Sequence, residues 1–166
     1  MKNLIVFQLL VFCFCGVNGQ DIKEPDFTYQ VNYLKKDGEL GKKLESQIPK
    51  AKHAAYSFTY KYEVPEPKSN VRFSDSRPSF VVNMNDNSKD IEGIIYIFKI
   101  ESKRNSRKGQ YKSRNLAGDD SYVPFIFERY GKKSYKITVS EDLEKGEYII
   151  IIAKEDVGKA NLFGID

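Results

Sequence analysis

The chain has 166 residues, and its 27 lysines and arginines exceed its 23 aspartates and glutamates by a formal net charge of +4. That balance is too mild to imply a nucleic-acid or membrane partner by itself. A single histidine, two cysteines and no tryptophan restrict the chemistry further.

The first residues read as an export signal. Lys2 supplies a positive start, Leu4 to Phe14 is apolar except for Gln8, and Gly16-Val17-Asn18-Gly19 places small residues where a signal is cut. The apolar run is shorter than the roughly 20 residues a membrane-spanning helix needs. The expectation is a cleaved signal peptide over 1–19 and one domain over 20–166, delivered to the periplasm, the cell surface or the medium. A lipid-modified cysteine is the competing reading. Phe12 and Phe14 stand before Cys13 and Cys15, however, where lipoprotein processing requires a small residue. Both cysteines would leave with the signal, so no disulfide framework or thiol chemistry is expected in the mature chain.

Beyond residue 25 the pattern is strand after strand. Phe27, Tyr29, Val31 and Tyr33 alternate with polar residues, which predicts a half-buried strand. Leu40, Leu44 and Ile48 recur at helical spacing up to Pro49, which predicts a short helix or an irregular crossover within 40–52. Tyr56, Phe58, Tyr60, Tyr62 and Val64 then alternate with Ser57, Thr59, Lys61 and Glu63. Further strands are predicted over 69–73, 79–84, 94–100, 124–130, 135–139, 148–153 and 161–165. The continuous run Ile94-Ile95-Tyr96-Ile97-Phe98 suits a central strand covered on both faces. Turn residues separate these runs, among them Asp37-Gly38, Pro65-Glu66-Pro67, Arg77-Pro78 and Lys145-Gly146. Many short strands at near-regular spacing predict an all-β, antiparallel, immunoglobulin-like sandwich.

Leu143-x-x-Gly146-x-Tyr148, set just before a β-rich run, has the spacing of a tyrosine corner, in which the hydroxyl bonds back to the chain a few residues upstream. Lys145 stands where many such sequences have proline. This corner, the stretch Ser69-Asn70-Val71-Arg72-Phe73 and the closing Phe163-Gly164-Ile165-Asp166 resemble a group of uncharacterised exported bacterial β-sandwich proteins. The resemblance covers about the last hundred residues. It implies a fold and an envelope location, and it implies no activity.

Catalytic and metal chemistry find little to stand on. His53 lies among lysines with no signature around it and reads as a surface histidine. One histidine without mature cysteines does not make a zinc site. Asn83, Asn85 and Asn87, with Asp86 and Asp90, lack the acidic first ligand and the glycine of a calcium loop and read as a polar turn. Nothing selects a catalytic pair among the acids, and no cofactor is indicated. The sharpest chemical feature is a basic stretch, Lys103, Arg104, Arg107, Lys108, Lys112 and Arg114, with no acid before Asp119. On a hairpin or long loop it would offer a landing site for an anionic polysaccharide, a lipid headgroup or an acidic protein, with Tyr111 able to stack on a ring. The bland account is a solvated loop. The alternating tyrosines admit a sugar platform, although core is the more common role of such a face. The expected function is a non-catalytic interaction module of the envelope. The alternatives are an envelope-directed hydrolase using unidentified carboxylates and a structural accessory subunit docking through an edge strand such as Asn161 to Asp166.

Overall fold

The computed structural model describes residues 22–54, 59–88, 90–112, 120–153 and 159–166. The expected signal peptide lies outside the described residues. The described chain holds thirteen strands and no helix: β1 (Val31–Leu34), β2 (Leu40–Lys43), β3 (Glu45–Gln47), β4 (Lys50–Ala54), β5 (Thr59–Pro65), β6 (Arg72–Phe73), β7 (Ser79–Asn83), β8 (Ile95–Ser102), β9 (Ser106–Lys112), β10 (Phe125–Tyr130), β11 (Ser134–Val139), β12 (Gly146–Ile152) and β13 (Lys159–Ile165). They form two sheets. One runs β10-β11-β7-β1-β2; the other runs β3-β13-β12-β8-β9-β5-β4, with β6 added in parallel beside β13.

Within this arrangement lies the immunoglobulin-like order. Taken in chain order, β1, β7, β8, β10, β11, β12 and β13 occupy the positions of seven sandwich strands. The first, second, fifth and fourth share one sheet, and the third, sixth and seventh share the other. The additional strands are insertions: β2 to β6 between the first pair, and β9 after the third strand.

The segment 40–52 corrects the helix expectation, because it forms β2, β3 and the start of β4. Its three spaced apolar residues do not share a face: Leu44 is buried, Leu40 is half-buried and Ile48 is 77% exposed. Leu44 is drawn in by its N–H, which donates to the Val31 carbonyl at 2.9 Å. The first predicted strand is also shorter than its pattern. Residues 27–29 turn instead, Gln30 N–H donating to the Phe27 carbonyl and Tyr29 adopting φ 64°.

β12 shows why its sequence is apolar without alternation. Tyr148, Ile150 and Ile152 point into the sandwich, where they meet Phe80, Ile97, Ile137 and Phe163. Ile149 and Ile151 point the opposite way, into a second cluster with Val64, Phe98, Ile100, Ala160 and Leu162. That second core exists because β9, β5 and β4 form a wing whose inner side covers the back of β8, β12 and β13. The alternating tyrosines of β5 are its lining: Tyr60 and Tyr62 pack on this cluster together with Tyr96 and Tyr122. Gly109 permits the close approach, since a Cβ there would stand 2.5 Å from Ile100 Cγ2.

Candidate anion-binding surface

The basic stretch is a hairpin, formed by the end of β8, a turn at 103–105 and β9, with Lys103 N–H closing it on the Ser106 carbonyl at 2.8 Å. Its six cations separate into different fates. Arg107 is the correction: it is buried, with 0% of its surface exposed, and cannot present its charge to a partner. Strand alternation turns it inward, under the wing. There its Nη2 donates to Glu45 Oε1 at 2.7 Å, its Nε donates to the Glu66 carbonyl at 3.1 Å, and its Nη1 lies 3.6 Å from Glu147 Oε2. Lys103 pairs with Glu101 and Lys108 with Glu63, the latter at 3.2 Å. Arg104 is exposed at the turn. Lys112 ends β9 opposite Thr59, and Arg114 lies outside the described residues.

Glu45 and Glu147, both nearly buried, converge on Arg107 from β3 and β12. Burial alone would raise the Glu45 carboxyl. Hydrogen bonds from Arg107, the Asn70 N–H and the Ser69 hydroxyl, with the Arg107 charge, overcome this and hold it below the usual carboxylate range. Glu147 accepts from the Ser69 N–H at 2.7 Å and from Arg72 Nη1 at 2.5 Å. Arg72 in turn reaches Asp166 at 2.6 Å. The network is a fastener that ties the wing and the 65–72 segment to the sandwich, and its acids are occupied in holding arginines.

The outer face of the wing carries the charge that a partner can reach. Register sets two rows across it. In the first, Lys50 faces Glu63, Glu63 faces Lys108, and Lys108 faces Glu101, so that signs alternate across four strands. Lys108 and the nearby Lys50 hold the Glu63 carboxyl below its ordinary range. In the next row Lys52 faces Lys61, and Lys61 faces Gln110, all three exposed. Residues directly opposite on antiparallel strands have Cβ atoms about 5 Å apart, and like charges there cost stability. Neither Lys52 nor Lys61 has a carboxylate partner among the described residues.

This row escaped the sequence reading because Lys52, Lys61 and Gln110 come from three separate segments. One signal was present: Lys61 already stood on the solvent side of the alternating strand. The remaining expected features fall as follows. Tyr148, third in β12, donates its hydroxyl to the Glu144 carbonyl at 2.8 Å; Leu143 is buried beside it, and Gly146 opens the strand. His53 stands in β4 opposite Tyr60. Asn83 shapes the turn after β7, donating to the Pro25 carbonyl and accepting from the Asn85 N–H. Asn161 to Asp166 is not a free edge, since β13 pairs with β12 on one side and with β3 and β6 on the other. No helix among the described residues is long and apolar enough to cross a membrane.

No family model, no curated protein and no solved structure matches the chain.

Proposed function

We propose that the protein is an exported, non-catalytic interaction module of the cell envelope, and that it holds an acidic polysaccharide on the outer face of β4, β5 and β9. The observation that carries this reading is the row Lys52, Lys61 and Gln110. Two lysines stand opposite one another in the sheet register, with Gln110 completing the line. A fold gains nothing from that repulsion, whereas an anion lying across the row would relieve it. Adjacent strands are about 4.8 Å apart, so the row is a straight line of donors of roughly 10 Å. A stiff chain with repeating carboxylate or sulfate groups matches that shape, and the Gln110 amide suits the hydroxyls between them. The hydrolase alternative requires one carboxyl held protonated. The shifted acids of the described chain, Glu24, Glu45, Glu63, Glu101, Asp142 and Glu144, all move down instead.

The test is retention of the purified chain from residue 20 onward on immobilised polygalacturonate and on heparin across a salt series. Lys52→Glu/Lys61→Glu is compared with Lys103→Glu/Arg104→Glu. The expected result is salt-sensitive retention that the first double variant loses and the second largely keeps. Equal retention of both variants, no retention of the parent, or tighter binding to vesicles of anionic lipid would overturn the assignment.

A further inference from the structure

The turn between β10 and β11 holds a carboxylate. Glu24 reaches it from the segment 22–29, which precedes β1. Its two oxygens accept from successive backbone amides, Oε1 from Lys132 N–H at 2.8 Å and Oε2 from Lys133 N–H at 3.0 Å. Successive N–H groups that converge in a turn form a nest for anions. Hydrogen bonds to an ionised acceptor are roughly twice as strong as neutral ones. Gly131 makes the room: it has φ 62°, and a Cβ there would stand 2.5 Å from Glu24 Oε1. The nest lies at the surface, with Gly131 and Lys132 exposed and Glu24 half-buried.

The turn is braced without Glu24. Asn87 Nδ2 donates to the Gly131 and Ser134 carbonyls, each at 3.2 Å, and Met84 N–H donates to the Lys133 carbonyl at 2.9 Å. Strand register sets Tyr130 opposite Ser134 at the two ends of the turn. None of these contacts involves the 22–29 segment. Glu24 also leaves part of the nest unused. Burial raises its carboxyl, and the Ser134 hydroxyl, the two amides and the Lys133 charge bring it below its ordinary value. That hydroxyl is nonetheless buried without a hydrogen bond of its own, a donor beside the carboxylate that Glu24 does not engage. The segment that delivers Glu24 is strained. Pro25 is buried, and its carbonyl accepts from Asn83 Nδ2 at 2.7 Å. Tyr29, whose N–H donates to the Asn83 carbonyl at 2.6 Å, has φ 64°, a conformation that so bulky a residue adopts at a cost.

We infer that residues 131–134 form a carboxylate-binding site, which Glu24 fills as an internal ligand in competition with carboxylates from outside the chain. A preformed turn keeps its two donors aimed whether or not Glu24 is in place. An incoming carboxylate is not tethered through Pro25 to the strained turn at Tyr29, so it can settle on both amides and reach the Ser134 hydroxyl as well. Its displacement of Glu24 frees the 22–29 strap to relax. The ligand is defined by its carboxylate, carried by a small organic acid or by an acidic side chain of a peptide. The site is independent of the lysine row, which lies on the other sheet.

The test follows backbone amide resonances of the chain from residue 20 onward, as parent and as Glu24→Ala. Each is titrated with sodium acetate, with sodium chloride at equal ionic strength, and with the peptide acetyl-Lys-Glu-Pro-amide. In Glu24→Ala the Lys132 and Lys133 amides should move upfield as they lose their acceptor. Acetate should return both downfield along a saturating curve, and chloride should not. In the parent the Tyr29 amide, which reports the strap, should respond to acetate only at a higher concentration. A peptide half-point well below that of acetate assigns the site to acidic protein segments, and equal half-points assign it to small acids; both keep the carboxylate site. A dispersed spectrum shows that the variant is folded. If Glu24→Ala loses that dispersion, Glu24→Gln, which keeps the shape without the charge, is titrated in its place. No response of the variant to acetate, an equal response to chloride, or a parent that responds at the same concentration as the variant or not at all would overturn the inference.

Discussion

Arg107 and Glu45 meet 2.7 Å apart under the wing, the arginine with no exposed surface and the glutamate with 8% of its side chain exposed. They come from strands β9 and β3, and 62 residues separate them in the chain. A residue that the sequence placed in a basic surface stretch is thus the fastener between two layers. Its charge is balanced by Glu45 and Glu147, and the Glu66 and Pro65 carbonyls accept from its Nε and Nη2, while its Nη1 has no hydrogen-bond partner among the described residues.

Removing one member of such a group leaves the others buried and uncompensated. Arg107→Ala should therefore cost roughly 3–5 kcal/mol, read as a drop in the urea midpoint. Arg104→Ala, at the exposed turn three residues away, should leave the midpoint within about 0.5 kcal/mol. Equal effects of the two would mean that the fastener contributes nothing.

Acid should loosen the same contact. The Glu45 carboxyl titrates below its unfolded value of about 4.3. Its contribution is therefore complete above that value and disappears as pH falls through the lower, folded one. The parent should lose stability over that window. Glu45→Gln should begin less stable at neutral pH and show a smaller acid loss, measured as urea midpoints along a pH series.

Tyr148 governs the opposite end of the pH scale. Burial, with a further push from the Glu144 charge, raises its hydroxyl to about 12. The sign is that of a group favoured in its protonated form: its contribution is whole below about pH 10 and fades as pH climbs toward the folded value. Tyr148→Phe should cost about 1 kcal/mol near neutrality through the lost bond to the Glu144 carbonyl. The alkaline decline should become shallower, although Tyr96, Tyr122 and Tyr130, also raised by burial, keep part of it.

The lysine row separates stability from binding. Lys52→Glu places a carboxylate opposite Lys61 in place of a second ammonium, so the fold should gain a few tenths of a kcal/mol. Retention on an acidic polysaccharide should fall at the same time. Thermal unfolding and salt elution of this one variant would show whether the repulsion is kept for a partner.

Close packing at Gly109 allows a further check. Gly109→Ala would drive a methyl into Ile100 and should cost about 1–3 kcal/mol. Gly109→Ala/Ile100→Ala, which removes the Cγ2 methyl that the new Cβ meets, should cost less than the sum of the two single substitutions. Chemical denaturation of the three variants measures the coupling.

Much of the fold was legible in the sequence because a period of two in a half-buried strand is a local signal. β7, β8, β10, β11, β12 and β13 fall where apolar and aromatic runs place them, and Leu143 to Tyr148 anticipates a turn into a central strand. The spacing of Leu40, Leu44 and Ile48 misled, because three apolar residues at helical intervals carry no information about what covers each of them. Ile48 is 77% exposed, while Leu44 is buried in the core, its N–H bonded to the Val31 carbonyl.

Composition and periodicity by themselves determined that the chain is all-β, that its strands alternate, and that a basic stretch lies between two of them. Only the tertiary structure decided which of those cations face water. Inward or outward orientation on β9 depends on register against β5 and β8, and register is a property of pairing between segments distant in the chain. The same pairing brings Lys52 opposite Lys61 and buries Arg107, while Lys103, Arg104 and Lys108 of the basic stretch stay exposed.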